Sequence, residues 1–438
     1  MARDLISSKT APPQGWTSLR TIIASWISGL LSNTWATAAL IFLVTRAFAL
    51  AGAYAGGQAV LIMEPERTKG WFAEVALMWD AAWYATIAQD FYSYSPTADG
   101  GTNVAFAPLY PFLMRSLSEI LNLVTFGWNW GDDQYGSMIA AGLIISNVSF
   151  FVALALLMRL LAPRVGRVGA ALVALVLASL PLAFFFSAMY TEGLFLLLVV
   201  ASLLVARSDW RWKWLCAGLL GMLASLDRFT GILLLAVLGV EYLSQVGWRP
   251  RKIRPDILWL ALVPLGVGIY VLFLWWRFDN PFALNDSMLK GWNHKESFFL
   301  TTYWDSAVQL WQSVSGTFPL APDAVPGYSD PVLNYGRGSR MHLILDLAMP
   351  ILLLAGAFLA RKKLLASEWT WLALGIIYPL STNITFSLAR YMLPLWPGLI
   401  WLATLKKPAR WLIVPWVLFS LALMAWCAYW YGSARWIG

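Results

Sequence analysis

One carboxylate, Asp80, stands inside an aromatic stripe. In Met78-Trp79-Asp80-Ala81-Ala82-Trp83-Tyr84-Ala85-Thr86-Ile87-Ala88, the residues Trp79, Trp83, Ile87 and then Phe91 recur at three-to-four spacing. That spacing predicts a helix with an aromatic side, the kind of stripe found at a membrane–water boundary. A carboxylate at that level either bonds nearby backbone, as a helix cap does, or takes a proton from a substrate. Four more polar clusters interrupt an otherwise apolar chain: Ser187-Ala188-Met189-Tyr190-Thr191-Glu192, Asp227-Arg228-Phe229-Thr230-Gly231, Trp292-Asn293-His294-Lys295-Glu296 and Ser387-Leu388-Ala389-Arg390-Tyr391. A carboxylate facing Arg228, His294, Lys295 and Arg390 suits group transfer from a lipid phosphate. The base would take the proton of an acceptor hydroxyl, and the cations would stabilise the departing phosphate. Each cluster also has a structural reading: Glu192 and Arg390 as a buried pair, Arg228 as a snorkelling side chain, His294 as a loop residue. No Asp-x-Asp lies beside Asp80, Asp132-Asp133 is adjacent and far down the loop, and His294 and His342 are the only histidines. Neither a metal nor another cofactor is therefore expected.

The elements that must position these residues are membrane spans. Of 438 residues, 59% are hydrophobic and 12% charged, and the mean hydropathy is +0.64. This composition predicts an all-α polytopic membrane protein with a single membrane-embedded domain over 1–438. Apolar runs fall at about 34–62, 136–160, 167–188, 190–206, 213–226, 230–246, 257–276, 342–360, 369–388, 391–405 and 411–431. They predict about eleven spans against the roughly 20 residues a helix needs to cross. The three runs between 190 and 246 are short, leaving thin spans, broken helices or a re-entrant pair open. Residues 1–33 form a cytoplasmic or interfacial N-terminus, with an amphipathic helix over 16–31. Large loops follow at 64–135, with amphipathic helices, and at 277–341.

The net charge of +8 has an orientational cause. With the N-terminus inside and the spans alternating, Arg159, Arg164 and Arg167; Arg207, Arg211 and Lys213; Arg249, Arg251, Lys252 and Arg254; Arg361, Lys362 and Lys363; and Lys406, Lys407 and Arg410 all fall in inside loops. This is positive-inside bias, and it excludes nucleic acid as the partner those cations serve. The five polar clusters then share the outer side, where ionisable groups beside hydrocarbon point to function. Cys216 and Cys427 lie in apolar runs and read as small hydrophobes. No short apolar core ending in a small-residue cleavage site opens the chain.

Several of these stretches resemble a known family. Trp79-Asp80-Ala81, Ile87-Ala88, Tyr92 and Ala105-Phe106-Ala107-Pro108-Leu109-Tyr110-Pro111 are similar to the first-loop signature of the PIG-V family, the GPI mannosyltransferase II enzymes and their prokaryotic relatives. Tyr190-Thr191-Glu192-Gly193-Leu194-Phe195 resembles the family's Tyr-Ser/Thr-Glu-x-Leu-Phe, and Arg228-Phe229-Thr230-Gly231 its Arg-x-x-Gly junction. Arg390-Tyr391-Met392-Leu393-Pro394 resembles the Arg-Tyr-x-x-Pro of polyprenyl-phosphate-sugar glycosyltransferases. The resemblance implies a GT-C fold, a polyprenyl- or dolichyl-phosphate-mannose donor, a glycolipid acceptor and an inverting, metal-independent single displacement with Asp80 as base. Arg390, His294, Arg228 and Lys295 would bind the donor phosphate, and Glu192, Tyr190, Trp79, Trp83 and Tyr84 would contact substrate. Where eukaryotic members carry Glu-His after Trp-Asp-Ala this chain has Ala82-Trp83, and in place of a later Glu-His-Gly it has Gln89-Asp90-Phe91. A prokaryotic relative acting on another lipid-linked acceptor is therefore expected, in a bacterial or archaeal plasma membrane with its site outside, or facing the ER lumen in a eukaryote. The rival readings are a secondary transporter, which would show paired halves and broken helices at the midplane, and a membrane scaffold without catalysis.

Overall fold

The structure is a computed structural model, and it describes residues 33–63, 75–96, 101–125, 135–292, 294–315, 340–383, 387–405, 411–433 and 437. The expected helix at 16–31 and the pair Asp132-Asp133 lie outside the described residues. In chain order the helices are α1 (Thr34–Met63), α2 (Asp80–Asp90), α3 (Leu109–Val124), α4 (Gly136–Ser179), α5 (Glu192–Ala206), α6 (Lys213–Asp227) and α7 (Leu234–Gln245). They continue with α8 (Leu262–Phe278), α9 (Ala283–Trp292), α10 (Phe299–Ser315), α11 (Arg340–Leu359), α12 (Ala366–Leu380), α13 (Leu388–Tyr391) and α14 (Ile413–Gly432). Tight 3₁₀ segments join several of them, notably Ala183–Phe186, Phe229–Leu233, Pro255–Ala261 and Trp396–Thr404.

Among the described residues, five helices are long and apolar enough to cross a membrane: Thr34–Ile62, Gly136–Ser179, Pro255–Phe278, Met341–Leu359 and Ile413–Gly432. The expected runs 136–160 and 167–188 are joined in α4 across a kink, where Pro163 removes a helical donor and Gly166 takes φ 74°. The remaining expected runs are shorter helices, such as Glu192–Ala206. They are short because their ends are given over to the turns that carry Thr191-Glu192, Asp227-Arg228 and Ser387–Arg390. Close backbone approach holds α1 against α14: a Cβ at Gly52 would lie 2.1 Å from the Ala425 carbonyl oxygen, and one at Gly56 2.1 Å from that of Tyr429. Small residues at helix crossings are how apolar helices pack where lipid is as apolar as the protein. In the first large loop α3 buries Tyr110, Met114 and Ser118 and turns Phe112, Ile120 and Leu123 outward, as an interfacial helix would.

The bundle is pinned at one end by charge. Arg164, beside the α4 kink, pairs with Glu368 near the start of α12; Arg207, at the end of α5, bonds Glu368 at 3.0 Å and Glu241 of α7 at 3.1 Å. Ser367 also donates to Glu241. The helices α5, α7 and α12 thus share one cross-linked end, and their other ends carry the polar clusters.

Arg46, in the middle of α1, was unmarked by any sequence pattern. It is 3% exposed and points into the bundle. Its Nη1 donates to the Ala183 carbonyl at 2.6 Å and to Ser187 Oγ at 3.2 Å, and its Nη2 to the Ala178 carbonyl at 2.7 Å. The guanidinium lies over the Phe150 ring at 4.8 Å. The Ala178 carbonyl lies in the last turn of α4 and that of Ala183 opens the 3₁₀ segment after it, so the arginine supplies donors where the helix gives way. Replacing Arg46 by Leu leaves these carbonyls unsatisfied in an apolar interior and should cost about 2–4 kcal/mol. A clear fall in the melting temperature of the purified Arg46→Leu protein is the expected outcome; unchanged melting would contradict this role.

Candidate active site

Each partner of the central ion pair follows a strained residue. Trp79, at φ 57° and ψ −122°, turns the chain into α2 so that Asp80 is the first helical residue. Ser387, left-handed at φ 62°, starts the turn that carries Arg390. Non-glycine residues in such conformations cost on the order of 1–3 kcal/mol and persist only where surrounding contacts fix them. Those contacts are present. Tyr190 donates its hydroxyl to the Met78 carbonyl at 3.1 Å, fixing the entry to α2. Arg115 of α3 donates to the carbonyls of Ala88 and Gln89 at 3.1 and 3.0 Å, which satisfies the far end of α2. Asp346 of α11 accepts the Ala389 amide at 2.6 Å, holding the turn before Arg390.

The side chains converge accordingly. Arg390 Nη2 donates to Asp80 Oδ2 at 2.7 Å. Its Nε lies 3.4 Å from Glu192 Oε1, which also accepts from Arg228 Nη1 at 2.6 Å. Arg228 donates in addition to Thr191 Oγ1 at 3.0 Å and lies over the Tyr391 ring at 4.8 Å. Glu192 opens α5, where the helix dipole favours a carboxylate. Asp80 is therefore not a helix cap; its carboxylate reaches across to Arg390. Gly231 makes the Arg228 junction possible, since a Cβ there would sit 2.3 Å from the Ala224 carbonyl carbon.

A cavity of ≈ 210 Å³ opens on this network. Asp80, Tyr84, Arg228, His294 and Arg390 all line it, with Phe106, Asp227, Trp292, Tyr378 and Tyr391. Among the described residues, several polar atoms here are buried without a hydrogen-bond partner: Arg390 Nη1, Glu192 Oε2 and both oxygens of Asp227. An arginine donor left over in a buried wall suits an anion, and free carboxylate oxygens suit hydroxyl donors. Tyr84 meets Phe106, Tyr110 and Tyr190 edge-on, and burial followed by the nearby Asp80 charge pushes its hydroxyl well above the ordinary tyrosine range, so it remains a donor.

The other expected site residues stand further back. Trp83 packs on Phe106 and Trp292 and so backs the cavity wall, while Tyr190 is 1% exposed and holds the backbone behind it. Trp79 contributes its backbone turn, and Glu192 joins through the arginines. Lys295 is exposed and does not line the cavity. The chain from 295 to 297 pairs with 381–383: Lys295 and Asn383 are joined by two bonds, and Glu296 bridges Thr382. Adjacent side chains of an extended segment point to opposite faces, so His294 faces the cavity and Lys295 faces away. Asp227, which opens one of the polar clusters picked out in the sequence, lines the cavity beside Arg228. Arg115 and Asp346 were not among the expected site residues; they act on backbone groups remote in sequence.

No protein-family profile and no curated protein sequence matches this chain. Among solved structures, its backbone is similar to that of the oligosaccharyltransferase of Archaeoglobus fulgidus. With a tethered acceptor peptide containing the NVT sequon, that protein gives a TM-score of 0.44 at 13% identity, over 89% of this chain and 55% of the other. The archaeal oligosaccharyltransferase AglB of the same organism, in complex with an inhibitory peptide and a dolichol-phosphate, gives 0.39 at 13% identity, over 89% and 56%. The chain thus spans about half the length of the structures it matches.

His294 carries a pH signature. Burial pushes its imidazole below the ordinary histidine value of 6.5, which favours the neutral form over the phosphate-binding cation expected of it. As pH falls through 6.5, the unfolded chain takes up a proton that the folded one refuses. The stability that His294 contributes is therefore complete above pH 6.5 and declines as the pH falls toward the lowered folded value. Melting of the His294→Gln protein should lose this part of the acid sensitivity; a wild-type-like slope below pH 6.5 in the variant would contradict it.

Proposed function

We propose that the protein is a GT-C-type glycosyltransferase that moves a mannose from a polyprenyl- or dolichyl-phosphate-mannose donor to a glycolipid acceptor, with its cleft on the outer face of a bacterial or archaeal plasma membrane. The reading rests on the Asp80–Arg390 contact at the cavity. It joins the expected base to the expected phosphate-binding cation, and Arg390 Nη1 remains as a further donor. The family resemblance of the first-loop and Arg-Tyr-x-x-Pro motifs supports mannose and a lipid-linked donor.

In this reaction the acceptor hydroxyl oxygen attacks the anomeric carbon from the side opposite the phosphate. The carbon–oxygen bond to phosphate breaks with inversion, the hydroxyl proton passes to Asp80, and the leaving polyprenyl phosphate keeps the electron pair. Arg390 holds Asp80 by Oδ2, which leaves Oδ1 for the acceptor hydroxyl. The same guanidinium, through Nη1, meets the charge growing on the leaving phosphate. Arg228 holds Glu192 and thereby keeps Arg390 in register. His294, neutral at rest, offers the phosphate a ring N–H. Tyr84 is available to the sugar hydroxyls as a donor, and Asp227, whose carboxyl is pushed well above the usual carboxylate range by burial, as a donor or acceptor.

Asp80→Asn keeps the shape and one acceptor oxygen but cannot take the proton, so turnover with labelled polyprenyl-phosphate-mannose should fall by about 10²–10⁴-fold. Donor affinity should persist, because Arg390 is retained. Turnover close to wild type in the purified variant would sink the mechanism. Arg390→Ala removes a charge-assisted phosphate contact of about 1.5–3 kcal/mol and should weaken donor binding by about 10–100-fold. Intact donor affinity and turnover in that variant would remove Arg390 from the donor site.

A further inference from the structure

We propose that the recess between the start of α6 and the end of α7 binds the phosphate of an anionic phospholipid headgroup. Its volume is ≈ 580 Å³, and it is lined by Lys213, Arg251, Lys252 and Arg254 together with Tyr242 and Asp256. Among the described residues none of these four cations has a carboxylate partner; Lys213 donates instead to Gln245 Oε1 at 2.8 Å. One carboxylate, Asp256, also lines the recess, so four cations face a single acid there. Asp256 accepts the Tyr242 hydroxyl at 2.8 Å, and Glu241 is held by Arg207 and Ser367. The recess thus concentrates positive charge around an open volume. The positive end of α6, which begins at Lys213 with no side-chain cap, adds to it.

The position of the recess selects a lipid over a free anion. Asp227, at the other end of the 15-residue α6, lines the catalytic cleft. At 1.5 Å per residue the two ends are about 21 Å apart, so the recess faces the opposite side of the bundle. That is the side where positive-inside bias puts the cytoplasm. Four tryptophans, Trp210, Trp212, Trp248 and Trp259, stand 53%, 43%, 58% and 41% exposed on the segments that frame it. Exposed tryptophans at this density mark the headgroup level of a bilayer. Basic pockets between helices at the cytoplasmic boundary are suited to anionic headgroups. None of these residues belongs to the cleft, so the site stands or falls independently of the glycosyl-transfer reading.

The full-length protein, delipidated in neutral detergent, tests this by native mass spectrometry and thermal melting with three probes: phosphatidylglycerol, phosphatidylcholine and inorganic phosphate. Phosphatidylglycerol should bind and raise the melting temperature, while phosphatidylcholine and phosphate should not. Its binding should weaken roughly tenfold or more in the Lys252→Ala/Arg254→Ala variant, whose melting in phosphatidylcholine should match wild type. Should that variant fail to fold, the wild-type salt dependence decides: phosphatidylglycerol affinity should drop steeply between about 50 and about 500 mM salt. Equal binding of phosphatidylcholine, undiminished phosphatidylglycerol binding by the folded variant, or affinity indifferent to salt would each overturn the proposal. Stabilisation by inorganic phosphate matching that by phosphatidylglycerol would overturn the lipid assignment and leave a free-phosphate site.

Discussion

Charge that cannot be left alone in an apolar interior organises this molecule. Asp80, Glu192, Arg228 and Arg390 come from four separate segments of the chain and meet in one alternating network, with Glu192 shared between the two arginines. Any one of them buried without its neighbours would carry a desolvation penalty of several kcal/mol. The network therefore fixes where α2, α5, the turn after α6 and α13 sit relative to one another. A binding cleft follows from that requirement, because the network is closed on the bundle side and open on the cavity side. Among the described residues, Arg390 Nη1, Glu192 Oε2 and the Asp227 carboxyl oxygens remain there without a hydrogen-bond partner.

The same rule shapes the far end of the bundle, with a different result. Arg164, Arg207, Glu241 and Glu368 neutralise one another there, and Ser367 and Gln245 take up further donors and acceptors. Internal pairing is more complete, so this cluster works as a clamp. The helices α5, α7 and α12 run between the clamp and the cleft region, and a turn carrying polar residues begins where each leaves the clamp behind. Rigid rods anchored at one end are well suited to hold the strained residues Trp79 and Ser387 at the other, since strain persists only where the surroundings over-determine it.

Backbone groups do as much positioning as side chains. Arg46 caps carbonyls 132 and 137 residues away, Arg115 caps the end of α2, and Asp346 holds an amide 43 residues on. Each satisfies a polar group that a helix end or turn leaves over in a water-poor interior. With Tyr190, Arg115 and Asp346 hold the backbone of the segments that carry Asp80 and Arg390.

The amino-acid sequence by itself determined the helical, membrane-embedded class, because apolar runs of this length have no other way to satisfy their backbone groups in lipid. It also picked out Asp80, Tyr84, Arg228, His294 and Arg390, since ionisable and aromatic groups beside hydrocarbon are costly unless they serve a site. Tertiary structure alone decided which residues reach the cavity. Extended pairing of 295–297 with 381–383 turns Lys295 outward and His294 inward, although the two are neighbours and both basic. Burial, invisible in a residue type, favours the neutral form of that histidine. Tyr190 became a backbone strut because its hydroxyl found the Met78 carbonyl, and Asp227, the last residue of α6, became part of the wall beside Arg228. Composition and spacing reveal which groups must be compensated; only the folded chain reveals what compensates them, because the partners are backbone atoms and opposite charges that lie far off in sequence.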